Sequence, residues 1–172
     1  MEIDFSTQTK NNPSLALGED TKSSLNRKFD KPCRKALEAL MSDVYGTLHF
    51  MDIEETRANW SHFDSIYMTS QAQQIKIEVE WGQNWDGPNP YPFVHVLKKK
   101  IDNGKWDLFF RFNKSFTHAW SCTYEQAIKS ELYYMSSKSS VGMANTKNEP
   151  VYKIPQQEVR HYKKIDNKWE II

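Results

Sequence analysis

Between Gln74 and Trp81 the chain reads Gln-Ile-Lys-Ile-Glu-Val-Glu-Trp, and this octet constrains the fold more than any other stretch. Ile75, Ile77, Val79 and Trp81 alternate with Lys76, Glu78 and Glu80. A period of two is that of a half-buried β-strand with one wholly apolar face. The other face sets two carboxylates on adjacent same-face positions, where they repel unless a cation or a proton lies between them. Just upstream, His62 to Met68 has the composition of a second short strand carrying Asp64, with Thr69 to Gln73 polar enough for the turn. Antiparallel pairing of these arms brings Asp64 towards Glu78 and Glu80, a three-carboxylate pocket suited to a hard divalent ion such as magnesium.

An Asp at the start of one strand, a hairpin, and Glu-x-Lys on the next strand form the signature of the PD-(D/E)XK nuclease superfamily. This chain resembles it in Asp64 and in Glu78-Val79-Glu80, with Glu80 where lysine is usual. The resemblance implies an α+β domain with a restriction-endonuclease-like core, in which a mixed central sheet carries an N-terminal helix and flanking helices. It implies Mg2+ or Mn2+ held by Asp64, Glu78 and Glu80, and metal-dependent phosphodiester hydrolysis of DNA, with RNA as the second substrate class. In that chemistry the ion stabilises charge on the phosphate and lowers the pKa of the attacking water, which Glu80 orients or deprotonates. The lysine role passes to a neighbouring element, Lys98-Lys99-Lys100, with Lys98 as the catalytic candidate; Lys76 on the motif strand is a second. Superfamily members often carry an acidic residue on the first helix pointing at the metal pocket, and Glu38 is the candidate here. Many cut duplexes as dimers, which makes a homodimer an expectation too.

The helix expected to hold Glu38 starts at Asp30 as N-cap, with Pro32 in its first turn and Gly46 as its stop. Leu37, Leu40, Met41 and Val44 give it a buried stripe. Residues 1–28 are Ser-, Thr-, Asn- and Lys-rich and read as a flexible arm, leaving 29–172 as a single domain. Thr47 to Ile53 reads as the first strand. Residues 82–92, GQNWDGPNPYP, can only be a loop. Its Trp85 and Tyr91 are candidates for stacking on a base, and Lys76, Lys99 and Lys100 for phosphate contact.

Phe93 to Leu97 reads as a strand ending in the lysine triplet, with Asp102-Asn103-Gly104 as a hairpin-like turn. Trp106 to Asn113 and Phe116 to Cys122 form a hairpin whose aromatics fill both faces, a central position under helices. Thr123 caps a short helix, residues 131–150 read as an exposed loop, and a hairpin turning at Asp166-Asn167 closes the chain.

Charge is distributed unevenly. Residues 52–86 hold two basic side chains against seven acidic ones, and residues 87–172 hold fourteen basic against eight acidic. An acidic centre flanked by basic segments suits a metal-dependent enzyme acting on a polyanion, and equally a protein with patchy surface charge. Cys33 and Cys122 make no zinc spacing and read as buried free thiols. No apolar run approaches membrane-spanning length and the first residues lack an apolar signal core, so a cytoplasmic protein without membrane contact is expected. Two other readings stand beside the nuclease. One is a catalytically inactive member of the same fold. The other is an α+β interaction module, binding nucleic acid or a protein partner, in which Glu78 and Glu80 are only the solvent face of a strand.

Overall fold

The computed structural model of the protein describes residues 22–46, 49–50, 65–68, 73–103, 106–136 and 148–172. In chain order its elements are α1 (Lys22–Tyr45), β1 (His49–Phe50), β2 (Ser65–Met68), β3 (Gln74–Gly82), β4 (Phe93–Leu97) and α2 (Lys98–Asp102). There follow β5 (Leu108–Asn113), β6 (His118–Thr123), α3 (Tyr124–Lys129), β7 (Glu131–Ser136), β8 (Asn148–Pro155), a 3-10 turn (Gln156–Glu158), β9 (Arg160–Ile165) and β10 (Lys168–Ile171). The chain is a mixed α+β protein.

Seven strands form one mixed sheet in the order β1-β2-β3-β5-β6-β9-β10, and three form a smaller one in the order β4-β8-β7. The strand β3 pairs antiparallel with β2 and parallel with β5, the single parallel pairing among the described residues. A parallel neighbour requires a crossover. Here β4 and α2 provide it, carrying the chain from the end of β3 back to the start of β5.

The alternation along β3 sorts its side chains between two cores. Ile77 lies on the face covered by α1, packed with Leu37, Leu40, Met41, Phe110, Phe112, Tyr162 and Trp169. Leu37 and Leu40 are fully buried, each worth roughly 1.5–3 kcal/mol of transfer free energy. The opposite face is covered by the small sheet, α2 and α3, whose Val94, Val96, Ile154, Ile101 and Ala127 pack on Ile66, Phe109, Trp120 and Cys122. Phe109 and Trp120 stack there with centroids 5.4 Å apart. The hairpin β5–β6 is therefore central, as its two aromatic faces predict, with the helix α1 over one face and strands with two short helices over the other.

Turn chemistry follows the residues. Gly46 ends α1 at φ 78° with its N–H donating to the Ser42 carbonyl at 3.1 Å. Thr123 and Gln126 form a reciprocal capping box at the start of α3. Asp166 and Asn167, both at positive φ, make the two-residue turn of the last hairpin.

Four expectations change. The helix α1 begins at Lys22 rather than at Asp30, and Pro32 lies inside it. Pro32 loses the bond its missing N–H would make to the carbonyl four residues back, a cost of ~3 kcal/mol that the Leu37–Leu40–Met41 stripe offsets. The lysine triplet opens the short helix α2 rather than ending a strand, with Ile101 buried beneath it. What reads as a hairpin turn at Asp102-Asn103 is the end of that helix, because β5 must run parallel to β3. The stretch 131–150 is not one loop: Glu131–Ser136 pairs antiparallel with Asn148–Pro155. Its Leu-Tyr-Tyr-Met core has the aromatic content that strands favour, although Tyr133 and Tyr134 stay 44% and 60% exposed.

Candidate functional site

The polar face of β3 turns inward. Glu78 is buried, its side chain 6% exposed, and Glu80 beside it is 21% exposed. This removes the reading in which both are a solvent face. In register with them on β5 stand Phe109, opposite Glu78, and Arg111, opposite Glu80. A buried carboxylate is stable as an anion only beside a positive charge. That charge comes from α2: the Lys100 ammonium forms an ion pair with Glu78 and lies 3.8 Å from Glu80. Lys100 is fixed at its backbone as well, where the Trp106 indole N–H donates to its carbonyl at 3.0 Å.

Of the three lysines, then, α2 directs only Lys100 at the carboxylates. Lys98, the expected catalytic lysine, donates to Asp102 at 2.7 Å one turn along the same helix. Lys99 pairs with Glu149 at 3.3 Å. On a helix successive side chains diverge by about 100°, so three adjacent lysines cannot serve one site. Reading the triplet as the end of a strand hid that selection.

Arg111 extends the cluster. Its Nε is 4.0 Å from Glu80, and its Nη1 donates to His95 Nε2 at 3.1 Å. Arginine has no acceptor, so the His95 Nε2 must be unprotonated and its proton sits on Nδ1. Burial pushes His95 down to about 4, and the Arg111 guanidinium adds to the effect, so the imidazole is neutral at physiological pH. Neither residue stands out in the sequence, apart from an arginine set amid the aromatic residues of β5.

The loop following β3 is tied down at its base. Asn113 is fully buried at the end of β5. Its amide nitrogen donates to Asp86 Oδ1 at 2.9 Å and to Thr117 Oγ1 at 3.0 Å, while its oxygen accepts from the N–H groups of Thr117 at 2.9 Å and His118 at 3.1 Å. The Ser115 hydroxyl donates to the same Asp86 carboxylate and holds it below the usual carboxylate range. Trp85, expected as a stacking residue, is half-buried and packs over Gly82, where a Cβ would fall 2.2 Å from its indole nitrogen. Tyr91, at 54% exposure, is the aromatic residue of this loop that faces solvent.

The remaining expected residues fall as follows. Asp64 lies outside the described residues; Ser65, which follows it, pairs with Ile77, the neighbour of Glu78. Lys76 is half-buried towards the start of β3, and its N–H donates to Asp107 at 2.8 Å. Glu38 is half-buried on α1, and its charge adds to the rise in the pKa of Tyr67, a residue of the α1-side core. Glu78 leaves β3 on the opposite face, so α1 does not aim Glu38 at it. Cys33 and Cys122 are both buried, with burial pushing Cys122 up to about 12. A recess of about 600 Å³ opens elsewhere, between Met41 and Tyr45 of α1 and Ser121, Arg160 and His161.

Chemically, the site offers two carboxylates with hard oxygen donors, an ammonium between them and a guanidinium alongside. Among the described residues no three His, Cys, Asp or Glu side chains converge to hold a metal ion. Glu78 and Glu80 share a face, and the positive charge beside them is the Lys100 ammonium. No helix among the described residues is long and apolar enough to cross a membrane. Comparison of the chain with known protein families, with curated proteins and with solved structures finds no match.

Proposed function

We propose that this chain is a divalent-cation-dependent nuclease of the PD-(D/E)XK type, hydrolysing phosphodiester bonds in DNA. The observation that carries the reading is the Lys100 ammonium beside Glu78 and Glu80. The motif strand lacks its lysine, and a lysine from another element stands at its carboxylates. The order of the core supports the same reading: a helix, a meander carrying the acidic pair, then a crossover to a strand parallel with the motif strand, as in a restriction-endonuclease-like core.

In this reading Glu78, Glu80 and Asp64 hold Mg2+ or Mn2+, with Lys100 in place of Lys98 as the catalytic lysine. The ion, when bound, supplies a Lewis acid for the phosphoryl oxygens and a more acidic water. The protein supplies the rest. Glu78, buried and fixed, contributes a ligand oxygen whose position does not wander. Glu80, partly open to solvent, accepts a hydrogen bond from the attacking water. The Lys100 ammonium lies beside both carboxylates and stands where negative charge grows on the phosphate.

The test is cleavage of supercoiled and linear duplex DNA, single-stranded DNA and RNA, with Mg2+ or Mn2+. Wild-type protein cleaves at least one substrate, and Glu78→Gln and Lys100→Ala each lower the rate about 100-fold or more. Lys98→Ala and Lys99→Ala leave it within about threefold. Cleavage that survives Glu78→Gln and Lys100→Ala sinks the assignment, and so does a wild-type protein that cleaves nothing. The competing reading is a silent relative of the same fold. It draws on the same ion pair, since an ammonium seated between two carboxylates also serves as a purely structural counter-charge.

A further inference from the structure

Beyond the acid pair and its lysine, the site holds a guanidinium whose donors are not used up. Among the described residues, the hydrogen bond that Arg111 makes is the one to His95, at 3.1 Å. Its Nε is buried with no hydrogen-bond partner, and the nearest charge, Glu80, is 4.0 Å away, too far for a hydrogen bond. The Arg111 side chain is 20% exposed, Glu80 is 21% exposed and Lys100 34%, so each of the three reaches solvent. An arginine held solely to neutralise Glu80 would form the close two-bond fork with it. Instead the side chain is anchored from behind by an uncharged imidazole, which fixes the guanidinium and leaves its positive charge in place.

From this we infer that Arg111 is a phosphate-contacting residue of the site, presenting its unused Nη N–H groups to a phosphodiester of a nucleic-acid strand, with His95 as the residue that positions it. The inference rests on the nuclease reading for the identity of the polyanion. A planar fork matches the paired non-bridging oxygens of a phosphate, whereas an ammonium offers only a point charge. The site then divides its labour. Lys100 serves the carboxylates and the charge that grows on the reacting phosphate, and Arg111 holds the substrate strand. His95 acts only as an acceptor, so any side chain that places an acceptor at the same point can replace it.

The experiment measures fluorescence anisotropy of labelled duplex DNA, single-stranded DNA and RNA across a salt series, with Ca2+ replacing Mg2+ so that binding is read without cleavage. Arg111→Gln weakens binding about tenfold or more, and lowers the slope of log Kd against log salt by about one ion. Arg111→Lys keeps the slope but loses affinity, because charge remains and the fork does not. His95→Gln retains near-wild-type binding through its side-chain oxygen, while His95→Phe loses affinity as Arg111→Lys does, its charge kept but its guanidinium no longer held. Circular dichroism on each variant verifies the fold, and His95→Gln and Arg111→Lys keep the test decisive if a harsher variant unfolds.

An Arg111→Gln protein that is folded and keeps both affinity and salt slope overturns the inference; if the wild type also cleaves, the nuclease reading survives alone. A wild type that binds through Arg111 but never cleaves leaves this contact standing and removes the nuclease. A wild type that binds none of the three probes at about 50 mM salt, where phosphate contacts are strong, overturns both.

Discussion

Replacing Asn113 tests how the loop after β3 is held. Asn113→Ala removes the acceptor of the Thr117 and His118 N–H groups, at 2.9 and 3.1 Å, and the donor to Asp86 at 2.9 Å. A net hydrogen bond is worth roughly 1 kcal/mol, and a buried donor left unmet costs roughly 1–3 kcal/mol. Thr117 and His118 are half-buried, so water recovers part of that cost and the lower end applies. The expected loss is about 3 kcal/mol, read as a fall in Tm of about 6–12 °C for a domain of this size.

Asn113→Asp makes the sharper comparison. It keeps both acceptor bonds but sets a second carboxylate against Asp86, which Ser115 holds ionised. Two carboxylates in hydrogen-bond contact cannot both stay charged, so the new group's folded pKa rises above its unfolded value near 3.9. The native state then retains a proton that the unfolded state has lost. Stability therefore falls as pH rises above about 4 and returns as pH is lowered towards it, at up to about 1.4 kcal/mol per pH unit. Denaturant melts at pH 4.5, 6 and 7.5 read this directly. Relative to wild type, Asn113→Ala shows a constant deficit and Asn113→Asp a deficit that widens with pH. A deficit below 1 kcal/mol for Asn113→Ala, or parallel pH profiles for the two variants, would refute the reasoning.

Two further perturbations follow from close approaches in the backbone. Gly82→Ala puts a methyl group 2.2 Å from the Trp85 indole nitrogen and 3.0 Å from the Phe112 carbonyl, so the indole must leave its seat. A loss of about 1–3 kcal/mol with a red-shifted tryptophan emission is expected, and unchanged emission would mean that Trp85 does not rest on Gly82. Asn167 sits at φ 64° in the final turn, so Asn167→Val costs about 1–2 kcal/mol while Asn167→Gly is neutral or slightly stabilising. Equal stability of the valine and glycine variants would contradict the turn.

Local signals carried well from sequence to structure. Strict alternation located β3, the Asp-Asn pair located the last turn, and Thr123 marked the start of α3. What the sequence hid was the partner on the far side of β3. Parallel pairing with β5 leaves no turn motif to read, because the connection is a crossover whose residues look like a strand end and a hairpin. Lys98, Lys99 and Lys100 are chemically identical, and only the phase of α2 singles out Lys100. Arg111 carries no signal in the sequence, because its meaning depends on Glu80 lying beside it in register and on His95 approaching from another sheet. Pro32 misled in the opposite direction, since a good helix-opening signal was overridden by a longer helix packed along the sheet.

The crossover also sets the order in which the protein can assemble. The strand β3 can pair with β2 through a short connection, but the Glu78 counter-ion is 22 residues further along and arrives only once α2 has docked. Until then two neighbouring carboxylates face an unfinished core without the Lys100 ammonium, and closing the longer loop carries its own entropy cost. Parallel pairing of β3 with β5 is therefore the expected kinetic bottleneck, opposed by charge as well as by topology. Raised ionic strength screens that repulsion in the expanded chain and speeds folding, while leaving the buried ion pair of the finished protein largely untouched.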